Sequence, residues 1–112
     1  MRTIQDPSNF RKNVCDKIEK IFQTQKYTKN MIDNMEKSIY NTSIKDAGDR
    51  DIVKKWDNPT FVQIYTDRLR SLYINLNTNK ELREKIINKE INSHEVGELS
   101  HQDMDPMRWK KL

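Results

Sequence analysis

The chain has 112 residues, which is enough for one domain and too few for two well-packed ones. Hydrophobic residues make up 34% of the chain and charged residues another 34%, so any hydrophobic core must be small. Lysine and arginine number 21 against 17 acidic residues, and the net charge of +4 gives a mild attraction toward acidic partners. Because both signs are interleaved, the composition is typical of solvated helix faces rather than of a disordered tail.

Cysteine usage and hydropathy indicate an intracellular protein that does not contact a membrane. The single cysteine, Cys15, excludes an intramolecular disulfide and is consistent with a reducing compartment. No apolar run approaches the roughly 20 residues that cross a bilayer, and the first residues lack the apolar segment of a signal peptide. Frequent Asn, Ile and Lys are typical of AT-rich coding sequence, as in some viruses and protozoa.

The first predicted helix spans about 8–24. Asp6 suits its cap and Pro7 its first position, where a missing N–H is tolerated. Apolar side chains then recur at helical spacing, and this stripe consists of Phe10, Val14, Ile18, Ile21 and Phe22. Cys15 lies at the edge of the stripe, so we interpret it as a small hydrophobic side chain rather than as a reactive thiol.

The second predicted helix spans about 28–40, with Thr28 as its cap and with Glu36 on its outer face. The string Asp-Ala-Gly-Asp at 46–49 predicts a break in the chain. We expect a loop there, followed by a helical turn that places Trp56 against the rest of the domain, since a long stretch without structure is unusual in a compact domain.

The third predicted helix is the longest and spans about 59–76, capped by Asn58 or Asp57. Its apolar arc contains Phe61, Val62, Tyr65, Leu69, Leu72, Tyr73 and Leu76. Arg70 and Ile74 project from the opposite side, whereas Arg68 lies beside the arc.

Shorter helices are predicted after residue 77. One runs from Lys80 to Asn88, a further turn is capped by Ser93, and a capping box begins at Ser100. Pro106 ends or restarts the chain before Trp109. The sequence thus predicts an all-α fold, a three-helix bundle with additional short C-terminal helices. It forms a single domain over residues 1–112, with its core at about 8–104.

Residues with catalytic or metal-binding chemistry are sparse. Cys15, His94 and His101 cannot complete a Cys/His zinc site, which needs about four ligands, and the histidines are interpreted as solvated or capping side chains. Glycine-rich phosphate loops and the common nucleophile and metalloprotease strings are absent from the sequence. We therefore expect no catalytic residues, no metal ligands and no cofactor in this chain, and we do not expect an enzyme.

Residues 70–85 carry a family resemblance. The pieces Arg70-Ser71, Asn75-Leu76 and Asn79-x-x-Leu82-Arg83 resemble the signature of the central domain of transcription elongation factor TFIIS. Further pieces in the same order are similar to the opening, second and closing helices of that domain. These pieces are 11–18, Ile32-x-x-x-Glu36-x-x-Ile39-Tyr40, Glu90-Ile91 and Leu99-Ser100-x-x-Asp103-Met104.

The resemblance implies a monomeric docking domain that binds a multisubunit RNA polymerase. Its basic residues around the end of the third helix and the turn after it, namely Arg68, Arg70, Lys80 and Arg83, would engage the polymerase. In the family this domain anchors a zinc ribbon that helps the polymerase to cleave backtracked RNA. The ribbon is missing from this chain, so zinc is expected only in a downstream segment.

The short segment before the first helix and the string at residues 106–109 resemble the shortened versions of the factor that large DNA viruses encode. We expect location in the nucleus, at cytoplasmic viral transcription sites or in the virion.

Two other function classes stay open at this point. One is a basic helical domain that binds nucleic acid directly, although the mild charge excess predicts only weak binding. The other is a docking domain of a transcription regulator that binds polymerase without any role in cleavage. A Cys-x-x-Cys pair with an acidic hairpin downstream of Leu112 would indicate the elongation factor.

Overall fold

A computed structural model of the chain describes residues 3–23 and 25–104, and these residues form helices joined by short loops. The elements in chain order are α1 (Pro7–Ile21), α2 (Lys29–Asp49), α3 (Pro59–Thr78), α4 (Lys80–Ile87), a 3-10 helix (Ser93–Glu98) and α5 (His101–Met104). The predicted all-α class, a three-helix bundle with short C-terminal helices, is confirmed. The predictions for Pro106 and Trp109, and for the side chain of His101, lie outside the described residues.

The three long helices begin at the predicted capping residues. Asp6, Thr28 and Asn58 each accept a hydrogen bond from a first-turn backbone amide, at 3.2, 3.1 and 3.1 Å respectively. The predicted capping box at Ser100 is also present, since Ser100 and Asp103 exchange hydrogen bonds of 3.2 and 3.1 Å. The prediction for the 3-10 helix was wrong by one residue, because Asn92 rather than Ser93 caps it.

The prediction of a break at 46–49 was wrong, because α2 continues to Asp49. Ala47 is fully buried and Gly48 keeps helical geometry. The helix ends at Asp49, and Asp51, two residues later, adopts the left-handed conformation with φ 57°. The amide of Ile52 then donates to the carbonyl of Ala47 at 2.8 Å. Asp51 therefore takes the backbone conformation for which glycine is the usual residue.

The extra length of α2 creates a second small core. Ala47, Phe61 and Ile64 form it, with Tyr40, Ile44, Ile52 and Trp56 packed around them. Ile64 is buried although the predicted arc of α3 omitted it, whereas Tyr73, which the arc included, is exposed. The longer α2 accounts for the burial of Ile64, because it supplies the partner that Ile64 contacts. The predicted placement of Trp56 against the domain is confirmed, although the residues before α3 form a turn rather than a helix.

The main core lies between α1, α2 and α3 and is closed by the C-terminal helices. It contains the predicted stripe residues Val14, Ile18, Phe22, Ile32, Met35, Ile39, Tyr65, Leu72 and Leu76, together with Leu82, Ile86, Val96 and Met104. The last four come from α4, the 3-10 helix and α5. The short C-terminal helices are thus part of the core. None of the helices in the described part of the chain combines the length and apolarity of a membrane span.

The 3-10 helix approaches the backbone of α2 very closely. The amide of Gly97 donates to the hydroxyl of Ser38 at 2.8 Å, and both residues are buried. A side chain at position 97 would place its Cβ 2.5 Å from the carbonyl oxygen of Ser38. Only glycine fits this contact without moving one of the two helices.

Candidate binding surface

Asn79 organises the turn between α3 and α4. Its backbone amide donates to the carbonyl of Asn75 at 2.9 Å, which closes α3. Its side-chain oxygen accepts from the amide of Leu82 at 3.2 Å, which caps α4, and its side-chain nitrogen donates to the carbonyl of Met104 at 3.0 Å. One side chain therefore fixes α3, α4 and α5 relative to one another, so this turn is a rigid support for the basic residues around it.

Two of the four basic residues predicted to bind a partner have hydrogen bonds within the domain. Arg83 donates to the carbonyl of Leu76 at 2.6 Å and to the side-chain oxygen of Gln25 at 2.9 Å. Arg68 donates to the carbonyl of Gly97 at 3.0 Å. Both side chains are half-buried, and both satisfy backbone carbonyls that end a helical segment or lie close to such an end.

The other two predicted residues, Arg70 and Lys80, are exposed. Arg70 makes no hydrogen bond or ion pair with the described residues. Lys80 has only a loose pair with Glu84 at 3.7 Å, one turn along α4, and such exposed pairs contribute little to stability. The structure thus divides the four residues into an internal pair, Arg68 and Arg83, and an external pair, Arg70 and Lys80.

Arg70 borders a groove between α1 and α3, which we call the α1–α3 groove. The groove has a volume of about 820 Å³. Its apolar lining includes Phe10, Leu69 and Tyr73, and its charged lining consists of Arg70, Lys17, Lys20 and Asp16. Sequence reasoning did not assign Lys17 or Lys20 to a site. Their spacing of three residues on one helix, beside the stripe, was the signal that could have found them.

On another side of the bundle, α1, α2 and α3 share a buried polar cluster. Arg11 forms a two-pronged ion pair with Glu36, with nitrogen–oxygen distances of 2.8–3.1 Å. The hydroxyl of Tyr65 donates to the same carboxylate at 2.8 Å, and the Arg11 guanidinium lies 4.0 Å from the ring centre of Tyr40. The prediction that Glu36 stays on the outer face was wrong, because these partners satisfy its carboxylate inside the protein.

The cluster also determines the chemistry of the neighbouring thiol. Burial, together with the negative charges of Glu36 and Asp33, raises the pKa of Cys15 to about 11. The thiol is therefore protonated at neutral pH and is a weak nucleophile, as the sequence interpretation expected. Burial and the charge of Glu36 likewise raise the pKa of Tyr65. Within the described residues, no three His, Cys, Asp or Glu side chains lie close enough together to hold a metal ion.

Comparison with protein families gives one result. The family model described as "Transcription factor S-II (TFIIS), central domain" matches residues 6–112. The matched range contains every helix from α1 to α5 and the whole of the 70–85 segment. The comparisons with curated proteins and with solved structures found no match.

Proposed function

We propose that this chain, which belongs to the family of TFIIS central domains, docks on a multisubunit DNA-directed RNA polymerase during transcription elongation. The observation that carries the proposal is the exposure of Arg70 beside the α1–α3 groove, within the 70–85 segment. Because its guanidinium is not used by the described part of the fold, it is free to pair with a carboxylate of a partner.

The charges around Arg70 suit an acidic protein surface. Lys17 and Lys20 add two positive charges to the α1–α3 groove, and Asp16 adds one negative charge. Such a basic edge speeds encounter with an acidic partner more than it tightens the final complex. Exposed Tyr73 supplies apolar contact area in the same groove.

Lys80 is the second proposed contact, and its position argues against a purely local role. It is the first residue of α4, where the helix macrodipole disfavours a positive charge. Its pair with Glu84 is long and exposed, so it offsets only part of that cost. Contact with a polymerase carboxylate gives this charge a function that the helix itself does not require.

The domain would hold a separate zinc ribbon in position to stimulate cleavage of backtracked RNA. In this proposal the chain acts inside the cell, where the polymerase acts, and it has a docking rather than a catalytic role. A substitute for the acidic hairpin of the ribbon would have to come from the acidic residues around the end of α2, namely Asp46, Asp49 and Asp51. The first two lie in α2, and Asp46 pairs with Arg50 at 3.2 Å, which does not favour that substitute role.

The binding test compares two double variants with the same loss of charge. Arg70→Ala with Lys80→Ala should weaken binding to purified polymerase from the encoding organism by roughly tenfold, mainly through slower association. A different cleft lies between α1 and α2 beside Arg11. Lys12→Ala with Lys37→Ala removes two exposed lysines from this cleft and should change binding little. If the two double variants have the same circular-dichroism spectra and lose polymerase binding equally, a defined docking surface is contradicted.

A cleavage assay tests the docking-only role. A stalled, backtracked polymerase incubated with this chain should keep its transcripts at full length, because carboxylates must lie within a few ångströms of the catalytic metal to assist phosphoryl transfer. Shortened transcripts that appear with the chain and disappear with Asp49→Asn and Asp51→Asn would contradict that role. Binding to bare RNA or DNA with a steep salt dependence would instead favour the nucleic-acid-binding alternative.

A further inference from the structure

A second groove lies between the start of α2 and the segment that follows α4, and we call it the α2–α4 groove. Its volume is about 440 Å³. Apolar side chains line its floor, and these are Tyr27, Met31, Ile86, Ile87 and Ile91. All except Ile86 are only half-buried, so they pack against the core and still present apolar surface to the groove. Half-buried apolar surface of this kind is suited to accept an apolar side chain of a partner.

The rim of this groove is positively charged. Lys26 and Lys89 are exposed on it, together with His94, and none of the described residues that line the groove carries a carboxylate. The α1–α3 groove, by contrast, contains Asp16, and the cleft beside Arg11 contains four carboxylates. The α2–α4 groove is therefore electrostatically suited to an acidic ligand.

Two amides extend the rim along α2. Asn30 and Asn34 are one turn apart and both line the groove. Neither makes a side-chain hydrogen bond with the described residues. Each carries a donor and an acceptor, which is the combination that a peptide backbone can use. This feature favours a polypeptide over a compact anion such as phosphate.

Lys89 occupies a backbone position that does not favour lysine. Its φ is 64°, in the left-handed region. Its amide donates to the carbonyl of Ile86 and the amide of Glu90 to that of Lys85, at 3.2 and 2.9 Å, which is the helix ending that usually has glycine here. Lysine at this position strains the backbone and brings a positive charge to the rim of the groove.

From these observations we propose that the α2–α4 groove binds an acidic peptide segment of a partner protein, with an apolar side chain of that segment seated on the floor. The apolar floor would hold the anchor, the two lysines would face its flanking carboxylates, and the asparagines would pair with its backbone. The site is separate from the Arg70 surface and does not depend on polymerase docking.

The test uses the synthetic peptide Ser-Glu-Asp-Leu-Phe-Asp-Glu-Ser and methyl NMR spectra of the protein. The peptide should shift the methyl signals of Met31, Ile86 and Ile91 in a saturable manner, with Kd near or below about 100 µM. Lys89→Gly should weaken this binding at least about threefold while it preserves or raises the unfolding temperature, because glycine relieves the strain. The control Lys55→Gly removes an exposed lysine in the loop before α3, outside the groove, and should bind as the parent does.

Two control probes separate the contributions of charge and of the apolar anchor. A peptide with serine in place of Leu and Phe should bind at least about tenfold more weakly. Equal binding of that peptide, unchanged affinity in Lys89→Gly, or methyl shifts confined to the α1–α3 groove would each overturn the proposal. The proposal would also be overturned if a single-stranded RNA oligonucleotide shifted the same methyl signals and bound more tightly than the peptide, because the groove would then be a phosphate-binding site.

Discussion

Arginine has opposite roles in two regions of this molecule. In the polar cluster between α1, α2 and α3, Arg11 is held by Glu36, which is only 4% exposed and also binds Tyr65. In the second half of α3, Arg70 is exposed and has no hydrogen bond or ion pair with the described residues. The first arginine stabilises the fold and the second is available to a partner. The comparison shows that the role of a charge is set by its partners rather than by its residue type.

The largest expected effect comes from breaking the buried cluster. Glu36→Ala should lower the free energy of unfolding by about 3–5 kcal/mol, because it leaves both the Arg11 guanidinium and the buried Tyr65 hydroxyl without their acceptor. Chemical denaturation followed by circular dichroism measures this. Glu84→Ala is the matched control, since Glu84 is exposed and only loosely paired with Lys80, and it should change stability by no more than about 0.5 kcal/mol. Equal effects of the two substitutions would show that the cluster has no special role.

A second pair of substitutions compares two residues that are close together on α3. Leu72 is 3% exposed and belongs to the core, whereas Arg70 is exposed. Leu72→Ala should cost about 2–5 kcal/mol through lost apolar contacts and the cavity left behind. Arg70→Ala should leave stability within about 0.5 kcal/mol of the parent. Thermal melts of both variants provide the measurement, and an unchanged melt for Leu72→Ala would contradict its place in the core.

A third substitution tests the division between the internal and external arginines. Arg83→Ala should destabilise the domain by about 1–3 kcal/mol, because the carbonyl of Leu76 and the side chain of Gln25 lose a charged donor. Arg70→Ala serves as the arginine-matched control, and we expect it to cause no loss of stability. If denaturation midpoints of the two variants coincide, the hydrogen bonds of Arg83 do not stabilise the protein, and its side chain would be as available to a partner as that of Arg70.

The smallest expected effect is a pH dependence at Cys15. Its pKa is raised to about 11 from an ordinary value of 9.0, mainly by burial. A raised pKa favours the protonated thiol in the folded state, so this contribution to stability is complete below pH 9 and is lost as pH rises through 11. The parent protein should therefore lose stability relative to Cys15→Ala across that range. If the free energy of unfolding of the two proteins falls in parallel with rising pH, the folded environment does not affect the pKa of the Cys15 thiol.

Much of the fold could be predicted because its signals are local. Asp6, Thr28 and Asn58 cap the next turn of their own helices, and the apolar stripes follow a spacing that is visible in the sequence. The end of α2 could not be predicted in this way. Gly48 is tolerated inside a helix when its neighbour Ala47 is buried, and Asp51 can adopt the left-handed conformation instead.

The polar contacts could not be predicted because their partners are distant in sequence. Glu36 binds Arg11, 25 residues before it, and Tyr65, 29 residues after it, so its local pattern indicated an exposed residue. Arg83 pairs with Gln25 across 58 residues. The exposure of Arg70 was predictable from the face of α3 on which it lies. Its role as a polymerase contact stays a prediction, as do those of Arg68, Lys80 and Arg83.

The contact of Gly97 with Ser38 also determines when the chain can complete its fold. The two residues are 59 positions apart, so a long loop must close before this hydrogen bond can form. During synthesis, the Ser38 face of α2 stays in water until residue 97 has left the ribosome, although α1 to α3 are already complete. We therefore expect this part of the native structure to form late. Because this amide is buried and paired, we expect its hydrogen to be among the slowly exchanging ones of the domain.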